Sequence, residues 1–553
     1  MNNRVSAWAV ILTAVMWSSA LGCAGARAEV SGAAQPPQLP RELVDTSMPV
    51  SKGRVIKVPA GGDFQEALEE AQLGDTIVLQ AGVIYRGPFT LPEKKTGAGW
   101  ITIRSNIGPP QLPPPGTRVH PSHASLMPKL VASRGFVVSA EKRAHHYRFI
   151  GIEMAPTEDT FLYGIVSLGN NRERAIEDLP HHIVIDRSYL HGDAKKGSRR
   201  GVAMNGRHQA VIDSYLSDFK EEVHDTQAVG GWAGSGPFKI VNNFLEASGE
   251  NICIGGGDPN IRDLVPSDIE IRQNYSTKPL NWKPEEPNYD GSQWRVKFLF
   301  ELKNARRVLI DGNIFEYNWQ TPGYGFGVVF TVRNQEGTAP WSVIEDVTFT
   351  NNIVRHAASG LNILGFDDHH PNNEPTRRIL IKNNVFEDIG GPRWGGRGRL
   401  FQLLRGTQDV VIEHNIAAQT GDIVVADGEP HQHFVYRYNI SPHNDDGITG
   451  AGTGVGEQAL SKYFPNALVA HNVIIGGDAR KYPDKNYFPD STDAAKVAGL
   501  SNGEYRVSPS SPYKARGADE DPGVDIRALC AALGSNAGGE KTCKTAAYAG
   551  PAQ

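Results

Sequence analysis

Val347-Thr348-Phe349-Thr350-Asn351-Asn352, followed by Ile379-Leu380-Ile381-Lys382-Asn383-Asn384, decides how this chain reads. Each segment runs apolar, any, apolar, two of any, Asn. The form recurs as FKIVNN (238–243), IEIRQN (269–274), VLIDGN (308–313), VVIEHN (410–415) and FVYRYN (434–439). A looser copy ends at Asn472, and HIVIDRS carries Ser188 in the Asn place. The closing Asn residues stand 31, 39, 39, 32, 31, 24 and 33 apart. Such spacing excludes rigid helical arrays and suits a unit of roughly 22–25 residues with loops of varied length.

A second ladder alternates with the first. Its members are GIVSLG (164–169), GVAMNG (201–206), DTQAVG (225–230), NICIGG (251–256), FLFELKN (298–304), VFTVRN (329–334), LNILG (361–365) and LFQLLRG (400–406). Both ladders are short, rich in β-branched residues and punctuated by Gly and Asn, so both read as strands. Strand, turn, strand, turn, repeated about ten times, predicts an all-β chain: a single-stranded right-handed parallel β-helix. One coil alone cannot bury its inward residues; stacking coils at about 4.8 Å pairs each strand above and below. Asn tolerates the left-handed backbone of a tight turn, and its amide can bond up the stack. An antiparallel sandwich would need a hairpin turn every 8–12 residues or so, and two-residue hairpin signals are scarce.

The flanks fit this reading. Asp63-Phe64-Gln65-Glu66-Ala67-Leu68-Glu69-Glu70-Ala71 predicts an N-terminal capping helix with Asp63 as N-cap, laid over the raw end of the sheets. The chain divides into a signal peptide (1–28), a linker (29–54), a β-helix domain with its cap (55–480) and a C-terminal tail (481–553) packed outside, with a helix over 524–533. Asn2, Asn3 and Arg4, the apolar run 8–16 and Ala26-Arg27-Ala28 form the export signal. Leu21-Gly22-Cys23 offers the lipoprotein alternative. The reading is therefore an exported protein, periplasmic or extracellular. Cys530 and Cys543 can bridge in an oxidising compartment. Cys253 sits in an apolar run as a packed thiol.

Charge narrows the function. The 553 residues carry 56 Lys and Arg against 61 Asp and Glu, a net −5, with no basic run that would track a nucleic acid. No second apolar run reaches the length of a membrane span. A monomer with no nucleic-acid partner is expected.

A β-helix interior is filled with side chains, so chemistry belongs on the outer faces. Alternation along the second ladder points Asp225, Gln227, Asn251, Glu301, Lys303, Arg333, Asn362 and Gln402 outward. If FELKN (300–304) stacks on FTVRN (330–334), Lys303 and Arg333 become neighbours about 5 Å apart, and the arginine should lower the lysine pKa. A lysine tuned towards neutrality can serve as a general base, and a guanidinium can grip a carboxylate. That pair suits β-elimination on an acidic polysaccharide or oligosaccharide. Trp282, Trp294, Trp319 and Trp341 are candidate sugar platforms, Asp225, Gln227, Asn251, Asn334 and Asn362 are candidate substrate-binding residues, and His224 and Arg355-His356 are secondary candidates.

The segment VPAGGDFQEALEEAQLGDTIVLQAG (58–82) resembles the opening of the pectate-lyase-like β-helix superfamily. FELKN followed by FTVRN resembles the Lys and Arg coils of polysaccharide lyase family 6, which contains chondroitinase B and alginate lyases. The resemblance implies Lys303 as base, Arg333 as acid or carboxylate partner, and a calcium ion, for which Asn251 and Glu301 are the candidate ligands. Two departures stand out: Asn304 follows the lysine where that family has Ser, and TPGYGFG lengthens the spacing between the coils. Two alternatives remain. Asp225 and Glu301 could serve an inverting glycoside hydrolase, or the face could be a non-catalytic carbohydrate-binding surface. Asp367-Asp368-His369-His370 reads as an exposed loop rather than a metal site.

Overall fold

The ladder Asn residues organise the molecule. In the computed structural model, which describes residues 33–498, 506–514, 521–534 and 543, they form a continuous buried column. Asn274 Oδ1 accepts from both the backbone N and the Nδ2 of Asn243, each at 3.0 Å. Asn313 receives Asn274 in the same way, and the column continues through Asn352, Asn384, Asn415, Asn439 and Asn472 to Asn486. Every ladder amide from Asn243 to Asn472 is buried and partnered, as the low-dielectric interior demands, and the half-buried Asn486 ends the column. Ser188 and Ser214 extend the column downward. The left-handed residue at the corner is the one before the Asn: Asn242, Gln273, Asn351, Asn383 and His414 have φ between 54° and 58°. The ladder Asn itself supplies hydrogen bonds, not the turn conformation.

Three long parallel sheets meet at such corners, with 14, 12 and 13 strands. In one coil Ala305–Asp311 belongs to the first sheet, Ile314–Asn318 to the third and Phe326–Thr331 to the second. Each pairs in parallel with the next coil: Val308 with Val347, Phe315 with Val354, Val328 with Leu361. The parallel β-helix is therefore observed, with three strands per coil. The extra strand begins one residue after the ladder Asn, in a stretch that reads from sequence as turn. Ile252, Phe300, Val328, Leu361 and Phe401 stack as one inward column of the second sheet.

The N-terminal end and one flank are covered. Phe64–Glu70 is helical, Asp63 caps it by accepting from the Glu66 amide, and Phe64, Ala67 and Leu68 join the core. Ile314, Ile353, Val385 and Ile416, each just after a ladder Asn, form an outward apolar stripe. The tail covers it with Val497 and with Leu529 and Leu533 of the helix Ile526–Leu533. Cys530 and Cys543 are disulfide-bonded, and Cys253 is a buried free thiol. Part of the segment read as a linker lies along the first sheet: the amides of Gln35, Gln38 and Arg41 donate to Asp409, Asp346 and Asp268. The export-signal reading falls outside the described residues. No helix among them is long and apolar enough to cross a membrane.

Candidate functional site

The outer face of the second sheet carries a cleft. Its outward column runs Cys253, Glu301, Val329, Asn362, Gln402. Glu301, Asn362 and Gln402 stand where alternation places them. The register around Lys303 differs from the motif alignment: Phe300 pairs with Val328 and Leu302 with Phe330. The strand Phe326–Thr331 begins earlier than the FTVRN motif suggests, so the two motifs are offset along the sheet. Lys303 and Arg333 still meet through the backbone, where the Arg333 amide donates to the Lys303 carbonyl at 2.9 Å.

Two cavities lie along this face. The lower, about 500 Å³, is lined by Tyr163, Arg199, Arg200, Trp232 and Asp258 among others. The upper, about 810 Å³, is lined by Lys297, Tyr324, Arg333, Asn362 and Gln402 among others. Asp225, Glu301 and Lys303 line both, so the two join over these residues.

Opposite charges pair along the cleft floor. Lys297 Nζ lies 2.8 Å from Asp225 Oδ2 and 2.5 Å from Glu250 Oε1. Arg295 Nε donates to Asp225 Oδ1 at 2.8 Å, and Gln227 Nε2 to Glu250 Oε2 at 2.7 Å. Thr331 Oγ1 donates to Glu301 Oε1 at 2.8 Å, and Lys303 Nζ lies 3.7 Å from the same oxygen. Arg333 is drawn away to Asp367, at 2.6 Å, and to Asp368.

These contacts set the protonation states. The Glu301 charge raises the Lys303 pKa and outweighs burial, the reverse of the lowering expected from Arg333. The cause is plain: Arg333 faces its aspartates, and the nearest charge to the ammonium is a carboxylate. Burial raises Glu301. Burial also acts to raise Asp225, but Lys297 and Arg295 outweigh it and leave Asp225 lowered. Burial and the nearby carboxylates raise the Cys253 thiol, a packed and inert group.

The remaining candidates separate cleanly. Asn251 is not on the outer face. It is fully buried, its Nδ2 donates to the Leu245 and Thr277 carbonyls, and its Oδ1 accepts from Lys278 Nζ at 3.1 Å. Gln227 pairs with Glu250 and Val229 with Ile252, so alternation breaks at 251 and Glu250 takes the cleft position. Asn334 is structural: its amide donates to Asp367, and its Oδ1 accepts from the Ala339 amide. His224 is exposed and bonded to Glu221, and lines neither cavity. Trp319 is buried with Trp282 beside Trp294. These three and Trp394 line a groove of about 790 Å³ that shares Tyr324 and Arg295 with the cleft region. Trp341 bonds the Leu264 carbonyl instead. Sequence reasoning passed over Arg199, Arg200, Glu250, Arg295 and Lys297, which lie outside the outward positions of the two motifs or on loops before them.

The calcium site implied by the resemblance does not fit these residues. Asn251 spends its oxygen on Lys278 inside the coil. The Lys297 ammonium stands between the Asp225 and Glu250 carboxylates. Among the described residues no cleft group of three His, Cys, Asp or Glu brings its ligand atoms within 4.8 Å of one another.

No family model matches the chain, and no curated protein matches it. Among solved structures it is similar to a variant of the PL6 family alginate lyase AlyGC, at 11% identity and TM-score 0.47, over 87% of this chain and 58% of that one. The PL6 family polysaccharide lyase Pedsa3628 from Pseudopedobacter saltans matches at 11% and 0.42, over 85% and 99%. Pectate lyase Pel9A matches at 13% and 0.34, over 84% and 91%. All three TM-scores lie below 0.5, so the chemistry must be argued from the cleft itself.

Proposed function

We propose that this chain is an exported polysaccharide-active enzyme that cleaves a uronic-acid polysaccharide by β-elimination over Lys303. The observation that carries the reading is the Lys303–Glu301 pair on the floor of an open cleft, with guanidinium groups beside it. Arg200 stacks on the Tyr163 and Trp232 rings of the lower cavity, and its Nε and Nη1 make no hydrogen bond, which leaves its planar fork for a substrate carboxylate. Arg333 must first release Asp367 and Asp368, so it is the second choice. With the carboxylate held, neutral Lys303 takes the proton on the adjacent ring carbon. That electron pair forms the ring double bond, the glycosidic C–O bond breaks, and the leaving oxygen takes a proton from water in the cleft. The Glu301 charge holds Lys303 protonated at neutral pH, so the lysine becomes the neutral base by losing its proton to water as pH rises. The tryptophan-lined groove suits sugar rings further along the chain.

One observation favours a second reading. Asp225 and Glu301 have pKa values pushed in opposite directions, the pattern of a base and an acid. That pair would serve an inverting hydrolase. Incubation with alginate, pectate, glucuronan and glycosaminoglycans separates the readings. A rise in ultraviolet absorbance from an unsaturated product supports elimination; new reducing ends without it support hydrolysis. Binding without either overturns both and leaves a carbohydrate-binding protein.

A further inference from the structure

The N-terminal coils carry a cluster that the cleft does not use. His145-His146 and His181-His182 sit level on successive first-sheet strands, with Arg207-His208 on the next. His146, His182 and His208 have φ of 59°, 54° and 51°. This left-handed residue breaks strand alternation and brings consecutive imidazoles together. The rings then stack: His145 on His181 at 4.9 Å, His146 on His182 at 4.5 Å, His182 on His208 at 4.4 Å.

The hydrogen bonds fix where the lone pairs lie. His145 Nε2 lies 2.9 Å from the Lys94 carbonyl, which can only accept, so Nε2 carries a proton and Nδ1 faces His146. That Nδ1 lies 2.8 Å from His146 Nδ1, and His181 Nδ1 lies 2.7 Å from His182 Nδ1. Two nitrogens this close cannot both be protonated. His208 Nε2 bonds the Glu42 carboxylate at 2.8 Å, and its Nδ1 is buried with no partner. His145 and His208 are thus anchored through one ring nitrogen by a carbonyl and a carboxylate, the kind of contact that orients imidazoles around a metal, and they flank the other three rings. One nitrogen each from His146, His181 and His182 falls within 4.8 Å of the others.

We infer that His146, His181 and His182, with His145 beside them, form a site for a transition-metal dication of the zinc and copper class. Imidazole suits those ions and not calcium. The ion would clasp two coils together; Arg207 on the next coil opposes it and Glu42 offsets that charge. Trp100 gives a local reporter, its ring 5.1 Å from His146 and 6.2 Å from His182.

The test uses the full chain freed of metal by chelation. Zinc chloride, followed by calorimetry, should bind at one ion per chain and raise the thermal unfolding midpoint; calcium chloride should do neither. His146→Gln and His182→Gln, checked for folding by circular dichroism, should each weaken zinc binding about tenfold or more. Copper(II) should quench a share of the tryptophan fluorescence, and Trp100→Phe should remove that share while binding persists. Should the histidine variants not fold, the copper comparison alone decides. No zinc binding, zinc binding unchanged in both folded variants, or copper quenching unchanged in Trp100→Phe would each overturn the site.

Discussion

The ladder corner and the cleft floor are built on the same stacked coils and differ in what they stack. At the corner, like sits on like: an Asn amide both donates and accepts, so identical side chains satisfy one another from Asn243 to Asn486. Where Asp225, Glu250 and Glu301 stand on the cleft floor, no carboxylate can satisfy a copy of itself. Asp225, Glu250 and Glu301 need cations, and Lys297, Arg295 and Lys303 provide them. Self-complementary stacking is closed and inert. Stacking by opposite charge is held by partners that a charged ligand can replace, and this is the property a reactive cleft needs.

The largest effect should come from the lysine. Lys303→Ala is expected to lower elimination about 10²–10⁴-fold, the usual worth of a general base, with the fold intact by circular dichroism. Activity within a few fold of the parent would remove Lys303 from the chemistry. Lys297→Met attacks the charge stacking itself. It leaves Asp225 and Glu250 facing each other without their shared ammonium, and breaking such a buried pair costs about 3–5 kcal/mol. Chemical denaturation should show this at neutral pH and show less of it in acid, where the carboxylates take up protons. An equal loss at all pH values would mean that packing, not charge, holds the floor. Asn313→Ala tests the corner. It strands the Asn274 amide donors, a cost of about 1–3 kcal/mol, and the loss should not vary with pH because no charge is involved.

This contrast also explains what could be read from sequence. A self-complementary corner must repeat its residue, so VLIDGN and VTFTNN announce the coil at sight. The third sheet escaped because its strands, such as Ile314–Asn318, start one residue past the Asn, in a stretch that reads as turn, although an Ile or Val opens each of them from Ile314 to Ile416. On the cleft floor, Glu301, Asn362 and Gln402 follow from alternation, which is local. Asn251 and the Lys303–Arg333 stacking did not follow. A one-residue break places Asn251 inside, and a strand that begins earlier than its motif offsets the two motifs. Register is set by the inward column and the loops, and a five-residue motif does not encode it. Lys297 and Arg200 were hidden for a different reason: loops and neighbouring coils bring them to the cleft, and no motif marks them.

The smallest expected change is the most discriminating. Glu301 raises the Lys303 pKa, so the parent holds the ammonium at neutral pH and its elimination rate should climb as pH rises. Glu301→Gln removes the charge that raises the pKa and leaves burial, which lowers it. The pKa must therefore fall, and the rising limb of the pH–rate profile should move to lower pH, with a modest change in the plateau. If Glu301 is instead the acid of a hydrolase, Gln has no proton to donate, and activity should collapse at every pH with no shift in the limb. The two outcomes differ in shape as well as size, so one profile of one variant decides whether the carboxylate tunes its neighbour or does the chemistry itself.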